Sequence, residues 1–497
     1  MRRVVAALAL ALLALGVPAA VAKTGAFGPQ PPLSSSGRWI TDKQGRVVIL
    51  HGLNMVNKTG SLKPGATGFG KDDARFLHKH GFNTIRLGVI YRGLEPEPPG
   101  ADGKPDYDPG YLHSVGRTER MLGRHGIFSL VDFHQDLYNE RFQGEGWPDW
   151  QVLDDGVPAE PKEGFPGNYI VNAGLQHAFD NFWANTQAAG IGLQDAYAKA
   201  WRRTALEFRH DSHVLGYDLL NEPWPGSAFA TQGCGNPAGC PIFDTTTLAA
   251  FTARVLAAIR SVDPSTLVFY EPLVTFDFGA DTSHPDTGDP NAGFSFHDYC
   301  LPGIFGGPSS GPCETAEDLV FSNADKQSEE TGDVPLLSEF GATDDLETIG
   351  RIVRLADAHM VGWQYWHYCD CGDPTTQGSG VQGLVLDPRK PPRGENVKRP
   401  KLRVLARPYP RAVAGTPKQY GFDPATGKFT LTYSAKSPDG TALRRGVDTE
   451  IFVPKINYPH GYAVEAKGAE VVSQRARVLR LERERGVSEV TVTVSRR

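Results

Sequence analysis

The sequence predicts a (β/α)8 TIM barrel of the α/β class, followed by a small C-terminal all-β sandwich domain. Two observations predict the barrel. Eight short apolar, β-rich runs alternate with helical patterns between residues 37 and 404, and polar or aromatic residues follow each run. A third observation predicts the sandwich, because short strand-like segments with alternating apolar residues replace that pattern after residue 413. A chain of 497 residues, 40% of them hydrophobic, is ample for both cores.

The barrel prediction depends on the order of the elements. Parallel strands must be joined by long crossovers, usually helices, and helical patterns cover 72–80, 111–125, 193–210, 246–262, 315–330 and 346–359. The predicted strands are residues 47–50, 84–87, 128–131, 215–220, 267–270, 294–296, 335–337 and 361–365.

Functional side chains of such barrels lie at the carboxyl ends of the strands, and this chain has candidates there. Polar or aromatic residues follow or end the predicted strands in order: Asn54, Arg86, 132–136, 221–223, Glu271, 297–299, 339–340 and 366–367. A strand that served only as scaffold would not need them.

Residues 1–22 have the pattern of a secretory signal peptide. Two arginines follow the first methionine, residues 4–17 are almost purely apolar, and small residues at 20 and 22 suit cleavage. A membrane anchor is the alternative, but it needs about 20 apolar residues, and Pro18 ends the run earlier. We therefore expect cleavage after residue 22, secretion, and no transmembrane segment. The expected domains are a barrel over 23–404, a linker over 405–412 and a sandwich over 413–497.

Export to an oxidising compartment makes the six cysteines candidates for disulfides. A bond between Cys369 and Cys371 would close across one residue, so either of them could instead reach the loop between Cys300 and Cys313. A zinc site is the other alternative, but no C-x-x-C or paired-histidine spacing accompanies the cysteines. Their grouping favours local pairs: Cys234 with Cys240, Cys300 with Cys313, and Cys369 with Cys371.

Two glutamates carry the predicted chemistry. Glu222 follows the fourth predicted strand and Glu339 the seventh, which places their carboxyl groups across the barrel from each other. Hydrolysis of a glycosidic bond needs such a pair: one carboxylic acid protonates the leaving oxygen, and one carboxylate attacks or stabilises the anomeric carbon. We assign Glu222 as acid/base and Glu339 as nucleophile. The alternative is that both are ordinary surface residues.

These roles place opposite demands on the two carboxyl groups. Glu222 must hold a proton at neutral pH, which predicts a raised pKa, whereas an ionised nucleophile predicts a lowered pKa for Glu339. Arg86 or Tyr299 is the expected partner of Glu339. A separation of about 5 Å between the carboxyl groups would indicate retention of anomeric configuration, and about 6.5 to 9.5 Å would indicate inversion.

Ordered motifs run through the whole predicted barrel at 51–54, 83–87, 132–134, 219–223, 297–299 and 338–341, with Trp366 after the eighth strand. In this combination they resemble glycoside hydrolase family 5. Within that family, residues 134–136, 363–366 and 407–410 resemble those of endoglycoceramidases, secreted actinobacterial enzymes with an appended β-sandwich. The resemblance implies cleavage between the first sugar of a glycosphingolipid and its ceramide, with release of the intact glycan.

The resemblance also implies a set of substrate-binding residues: His134, Asn221, Tyr299 and Trp366 would line the sugar subsite beside the bond. An asparagine amide can bind the sugar 2-hydroxyl, and a tryptophan offers an apolar face for stacking.

Three further residues are candidates with a simpler alternative. Lys58 and Asp136 could contact sugar hydroxyls, or they could be ordinary solvated residues. We interpret His297 as a supporting hydrogen-bond partner rather than a catalyst.

A ceramide would need an apolar groove, and the connection 137–190 carries candidates for it. The alternative is that these aromatic residues pack the loop against the barrel. They are Trp147, Trp150, Phe165, Tyr169, Phe179, Phe182 and Trp183.

Composition and charge limit the partners. The formal net charge is −6, and no block of like charge indicates nucleic-acid binding. We expect a glycosphingolipid substrate, met at a membrane or micelle surface, no cofactor or metal, and a monomer. Alternatives are a family 5 glycanase acting on a β-glucan or mannan, a β-glucosidase of simpler glycolipids, and a non-catalytic carbohydrate-binding protein.

Overall fold

The computed structural model describes residues 27–300, 311–375, 380–475 and 477–497. The expected signal peptide, residues 1–22, lies outside these described residues. Eight parallel strands close into a barrel, and two antiparallel sheets form a second unit. The predicted fold class is confirmed.

The barrel strands follow one another around the barrel in chain order, and the eighth pairs with the first. Because every pair is parallel, all eight carboxyl ends meet at one mouth. The strands are β1 (His51–Met55), β2 (Thr84–Ile90), β3 (Phe128–His134), β4 (Val214–Asp218), β5 (Leu267–Tyr270), β6 (Ala292–Asp298), β7 (Val334–Phe340) and β8 (Gly362–Tyr365).

Amphipathic helices connect these strands. Leu346–His359 is typical: Asp345 caps its start by accepting the backbone N–H of Glu347, and Ile349, Ile352 and other apolar residues face the barrel. The other long helices are Lys71–His80, Pro109–Gly123, Ala173–Trp183, Leu193–Phe208, Ala249–Arg260 and Pro312–Thr331. Shorter ones are Tyr91–Leu94, Asn168–Val171, Ala228–Thr231, Pro241–Phe243 and Arg399–Leu405.

The first predicted strand, 47–50, is wrong as a barrel strand. Val47 and Val48 pair with Val413 and Ala412 of the second unit, and the barrel begins only at His51. The apolar run suits both places, because Val48 and Leu50 are buried in a cluster at the amino-terminal end of the barrel. The true first strand carries His51 and Asn54, so hydrophobicity alone favoured its neighbour.

The second unit is a β-sandwich whose two sheets enclose one core, with Ile451 and Leu479 from one sheet and Leu431 and Val492 from the other. Three short segments before the barrel complete the first sheet: Ser34–Ser36, Trp39–Thr41 and Val47–Val48. The remaining strands are Tyr409–Val413, Thr416–Asp423, Lys428–Ser434, Thr449–Phe452, Tyr462–Lys467, Ala469–Arg475, Val478–Arg483 and Glu489–Arg496.

The expected linker at 405–412 is instead structured. Helix Arg399–Leu405 ends there, and strand Tyr409–Val413 begins within it. The Tyr409 ring stacks on His51 of β1 at 3.8 Å between centroids, and Arg407 forms a buried ion pair with Asp357 at 2.6 Å. The proline-rich composition therefore marks a packed junction rather than a spacer.

Three disulfides join the cysteines in the predicted local pairs: Cys234 with Cys240, Cys300 with Cys313, and Cys369 with Cys371. The local pairing is confirmed for all three, so neither Cys369 nor Cys371 is bonded to Cys300 or Cys313. No thiol is left over for zinc, since all six described cysteines are bonded.

One described segment, Pro241–Arg260, is long and apolar enough to cross a membrane by length and composition. No such segment was expected from the sequence after residue 22. Phe251, Val255 and Ile259 on this segment are buried in the barrel core, and an amphipathic core helix passes the same test.

Candidate active site

Arg86 in β2 organises the mouth of the barrel. Its buried guanidinium contacts the carboxylates of Glu339, Glu271, Asp218 and Asp132. The Glu271 contact measures 2.7 Å and the Asp218 contact 2.9 Å. Burial lowers the pKa of Arg86, but the carboxylates outweigh burial and raise it well above its usual range. Since a buried cation needs its partners, Arg86 holds several strand ends in one arrangement.

The two glutamates assigned from the sequence meet at this mouth. Glu339 lies in β7 and Glu222 in the segment after β4, and both are buried. An oxygen of each carboxyl group lies within 4.8 Å of the other and of a His297 ring nitrogen. This approach fits the carboxyl separation of about 5 to 5.5 Å in retaining glycosidases better than the larger gap of inverting ones.

The backbone aims Glu222 into the mouth. Its φ is 43°, in the left-handed region that non-glycine residues seldom adopt. Its N–H donates to Glu271 Oε2 at 2.7 Å, and Gln135 Nε2 donates to its carbonyl at 3.1 Å. Neighbours that over-determine a strained residue are typical of functional sites.

His297 in β6 lies between the two glutamates. Its Nδ1 is 2.8 Å from Glu222 Oε1 and 3.8 Å from Glu339 Oε2. Burial lowers the pKa of His297, but the carboxylates of Glu339, Glu271 and Glu222 outweigh burial and raise it well above its usual range. A cationic His297 therefore donates to Glu222, which is the supporting position expected from the sequence.

Glu339 has both partners anticipated for it. The Tyr299 hydroxyl donates to Glu339 Oε2 at 2.7 Å, and Arg86 contacts Oε1. The expected lowering of its pKa is nevertheless wrong: burial raises the pKa of Glu339, and the nearby charges of His297, Arg86 and His134 do not cancel that effect. The donors were visible in the sequence, whereas the loss of water around Glu339 depends on the fold.

Lys58, His134, Asp136 and Trp366 line one side of the cavity, which we call the polar wall. Lys58 Nζ lies 2.5 Å from Asp136 Oδ2 and 4.4 Å from the Trp366 ring centroid. The His134 ring stacks on Trp366, with centroids 5.1 Å apart. All four are buried, so the alternative of solvated residues does not describe Lys58 or Asp136.

Asn221 lies next to Glu222, but much of its amide is already used. Its Oδ1 accepts from Arg86 at 2.9 Å, and its Nδ2 donates to the Gln135 carbonyl at 3.0 Å. An amide nitrogen has two hydrogens, so one is not used by these bonds, but Asn221 is buried and is not among the residues that line the cavity.

Several residues of the site were missed from the sequence. Glu145, Asp373 and Thr375 join Lys58, whose Nζ lies 3.6, 3.3 and 2.8 Å from them. They stand in long connections rather than at strand ends, so only their place in loops could have indicated a role. Asp277, which faces Glu222, was missed for the same reason.

A cavity of about 310 Å³ joins the polar wall and the two glutamates to an apolar surface. We call this surface the apolar wall. Its residues come from the long connection after β3, the segment after β4 and the turn after β5: Phe165, Ile170, Trp224, Phe229, Val274 and Phe278. A polar end, a pair of carboxyl groups and an apolar end suit an amphiphilic ligand.

The aromatic residues of 137–190 divide between the two roles considered for them. Trp147, Phe179 and Phe182 are buried in the barrel core, where Trp147 stacks on Tyr138. Phe165 and Tyr169 line the cavity. Packing and groove formation are therefore both present in one loop.

Two groups of side chains in the described part of the chain have donor atoms close enough for a divalent cation. They are His134 with Asp136 and Glu145, and His297 with Glu222 and Glu339. In each group a cationic side chain already contacts a carboxylate: Lys58 contacts Asp136, and Arg86 contacts Glu339. In both groups a cationic side chain of the protein therefore already balances carboxylate charge.

A closed parallel barrel with two carboxyl groups meeting at its mouth is the arrangement of a barrel glycoside hydrolase. Residues 42–372 match the model of cellulase, glycosyl hydrolase family 5, and residues 407–494 match the glycoside hydrolase family 5 C-terminal domain. The chain belongs to glycoside hydrolase family 5.

Within this family, the chain is similar to several endoglycoceramidases. Endoglycoceramidase I of Rhodococcus hoagii is 32% identical over 94% of this chain and 89% of its own. Endoglycoceramidase of Hydra vulgaris is 27% identical over 86% of this chain and 81% of its own. The solved ganglioside GM3 complex of endo-glycoceramidase II from Rhodococcus sp. has 28% identity and a TM-score of 0.74, covering 93% of this chain and 100% of that one. The resemblance to endoglycoceramidases is confirmed.

Proposed function

We propose that this protein is a secreted, retaining β-glycosidase that hydrolyses the bond between the glycan and the ceramide of glycosphingolipids. One observation carries the proposal: a single cavity joins the Glu222 and Glu339 carboxyl groups to both a polar and an apolar wall. The endoglycoceramidase relatives and the GM3 complex of endo-glycoceramidase II support the same substrate class.

In the first step Glu339 attacks the anomeric carbon while Glu222 gives its proton to the ceramide oxygen. The bond from the anomeric carbon to that oxygen breaks, and a glycosyl ester on Glu339 forms. Tyr299 and Arg86 orient the attacking carboxylate through their contacts to its two oxygens. Ceramide leaves as a neutral alcohol.

In the second step the ionised Glu222 removes a proton from water, and that water attacks the same carbon. The ester bond to Glu339 breaks, the glycan leaves with its original anomeric configuration, and Glu222 regains its proton. Endo-glycoceramidase II from Rhodococcus sp., 29% identical with a TM-score of 0.74, has been solved as a lactosyl-enzyme intermediate, which supports a covalent route.

The two walls assign the two ends of the substrate. His134 and Asp136 can hold sugar hydroxyls, and Trp366 can stack on a sugar face. Phe165, Ile170 and other members of the apolar wall suit the hydrocarbon of ceramide. A polysaccharide would place a sugar on the apolar wall, where few polar groups could bind it.

We also propose that the protein is secreted after cleavage near residue 22. The basic start, apolar run and small residues support it. Intact mass measurement of protein recovered from the culture medium tests it: the expected N-terminus is Lys23, and a full-length cell-bound chain would contradict secretion.

The proposed reaction is tested by giving the purified protein lactosylceramide, galactosylceramide, ganglioside GM3, soluble cellulose and mannan. Mass spectrometry should find intact glycan and free ceramide from one or more of the lipids. The Glu339→Gln variant, nearly isosteric with the wild type, should give neither product. Cleavage of the polysaccharides alone would show an ordinary family 5 glycanase instead.

A further inference from the structure

We propose that Asp277 is a positioning residue whose carboxyl group shares with Glu222 the one proton that the proposed acid step donates. The proposal rests on the acid/base role proposed above for Glu222.

Asp277 is built into the site rather than placed beside it. It lies in the 3-10 turn Val274–Phe278 after β5, is 3% exposed, and lines the same cavity as Glu222. Its backbone carbonyl accepts the N–H of Tyr299 at 3.1 Å. The turn therefore holds the Asp277 carboxyl group in the same cavity as Glu222, with an oxygen of each carboxyl group within 3.9 Å of His297 Nδ1.

Donors for this pair are scarce. Among the described residues, no donor lies within hydrogen-bond distance of Asp277 Oδ2. The nearest cationic atom, His297 Nδ1, is 3.9 Å away and already lies 2.8 Å from Glu222 Oε1. If both carboxyl groups were ionised, buried lone pairs would face each other with one shared cation.

A single proton between the two groups removes that conflict. Two carboxylates in one buried site repel, so the last proton is held to a higher pH than either group alone would hold it. The same proton makes a charge-assisted O–H···O⁻ bond, which is stronger than a neutral one.

The other titratable groups around Asp277 do not supply the missing charge. Glu271 is itself an acid, engaged by Arg86 and by the Glu222 N–H. Burial raises the pKa of Tyr299, which keeps its phenol neutral. Burial first, and then the charge of Glu222, raise the pKa of Asp277 well above its usual range despite His297. The shared proton is thus consistent with every charged neighbour on the packed elements.

The consequence is a pH dependence that belongs to the pair. Coupled acids titrate with values of the pair rather than of one residue, so the alkaline limb of kcat/KM reports loss of the shared proton. In Asp277→Asn no second carboxylate holds the shared proton, so the alkaline limb should move to lower pH.

The test uses phenyl β-lactoside, whose leaving group needs an acid, and 2,4-dinitrophenyl β-lactoside, whose leaving group does not. With the phenyl substrate, the alkaline limb of Asp277→Asn should move down by about one pH unit or more, lowering kcat/KM on that limb about tenfold. With the dinitrophenyl substrate, whose leaving group needs no acid, that displacement of the alkaline limb should be absent. Asp277→Glu should return the limb toward its wild-type position.

The matched control is Asp333→Asn, which removes another buried carboxyl group, one that accepts from the Tyr270 hydroxyl away from the cavity. It should leave both pH profiles unchanged. With the phenyl substrate, an alkaline limb of Asp277→Asn that coincides with that of the wild type would overturn the proposal. If that variant does not fold, Asp277→Ala must show the same displacement.

Glu222→Gln separates this proposal from the proposed function. It should lose kcat/KM on the phenyl substrate far more than on the dinitrophenyl substrate. If it does not, the role of Glu222 fails. If it does while Asp277→Asn keeps the wild-type profile, the shared proton alone fails.

Discussion

At the residue scale, the two glutamates proposed as nucleophile and acid/base have different partners. Glu339 accepts a hydrogen bond from the Tyr299 hydroxyl and contacts Arg86. Glu222 receives His297 but also faces the carboxyl group of Asp277. The two proposed roles depend on this difference between the donors on Glu339 and the second carboxyl group near Glu222.

The nucleophile is tested by Glu339→Gln. The amide cannot form the glycosyl ester, so kcat/KM for 2,4-dinitrophenyl β-lactoside should fall at least about a thousandfold. The thermal midpoint should stay close to that of the wild type. Substantial residual turnover by a folded variant would assign the nucleophile elsewhere.

The acid/base is tested by Glu222→Ala and sodium azide. Hydrolysis of the glycosyl ester loses its base, and kcat for the dinitrophenyl substrate should fall about 10²- to 10⁴-fold. Azide needs no base, so it should restore turnover and yield β-lactosyl azide by nuclear magnetic resonance. An α-azide product, or no effect of azide, would contradict a retaining route through Glu222.

Some residues of the site could be predicted from the sequence and others could not. Glu222 and Glu339 were found because each follows or ends an apolar strand, and parallel strands bring such residues together. Glu145 and Asp277 stand in connections whose course the strand pattern does not fix, so their approach to Lys58 and Glu222 was invisible. The raised pKa of Glu339 also needed the burial that only the fold supplies.

At the element scale, short segments outside the barrel strands shape the cavity. Helix Asn168–Val171 presents Ile170 to the apolar wall, while its neighbour Val171 does not line the cavity. Both side chains are exposed, by 56% and 42%. The helix thus offers a site residue and a matched control one position apart.

Ile170→Asp should weaken binding of the lipid end only. Loss of apolar contact from an isoleucine is worth about 1.5 to 3 kcal/mol, so KM for lactosylceramide should rise about tenfold or more. KM for dinitrophenyl β-lactoside, which has no hydrocarbon chain, should be unchanged. Val171→Asp should leave both KM values unchanged. An equal rise of KM for lactosylceramide in the two variants would show that ceramide binds elsewhere.

Element order was predictable because helices and strands have distinct periods, and seven of the eight barrel strands overlap their predicted positions. The exception, 47–50, failed because its valines suit either of two adjoining cores. Likewise, the composition at 405–412 indicated a boundary but could not show that strand Tyr409–Val413 bridges it.

At the scale of the whole molecule, the sandwich and the barrel share structure. Val47–Val48 belongs to a sandwich sheet and is followed after two residues by β1. Across the junction, Arg407 and Asp357 form an ion pair with exposures of 4% and 2%. Continuous chain and buried charge together tie the two units into one packed body.

Arg407→Met should destabilise this body strongly. It leaves Asp357 buried without its cation, and breaking a buried pair costs about 3 to 5 kcal/mol. Urea unfolding should show that loss, and the Arg407→Met/Asp357→Asn double variant should recover most of it. Arg403→Met, at an exposed nearby position, is the control. A single variant as stable as the control would show that the pair contributes little.

The central proposal is that Glu222 and Glu339 hydrolyse the bond between the glycan and the ceramide. The most direct measurement is hydrolysis of lactosylceramide in H₂¹⁸O, followed by mass spectrometry of both products. We expect intact lactose carrying one ¹⁸O atom together with unlabelled ceramide, because water attacks the anomeric carbon. Release of galactose with glucosylceramide, or label in the ceramide, would contradict it.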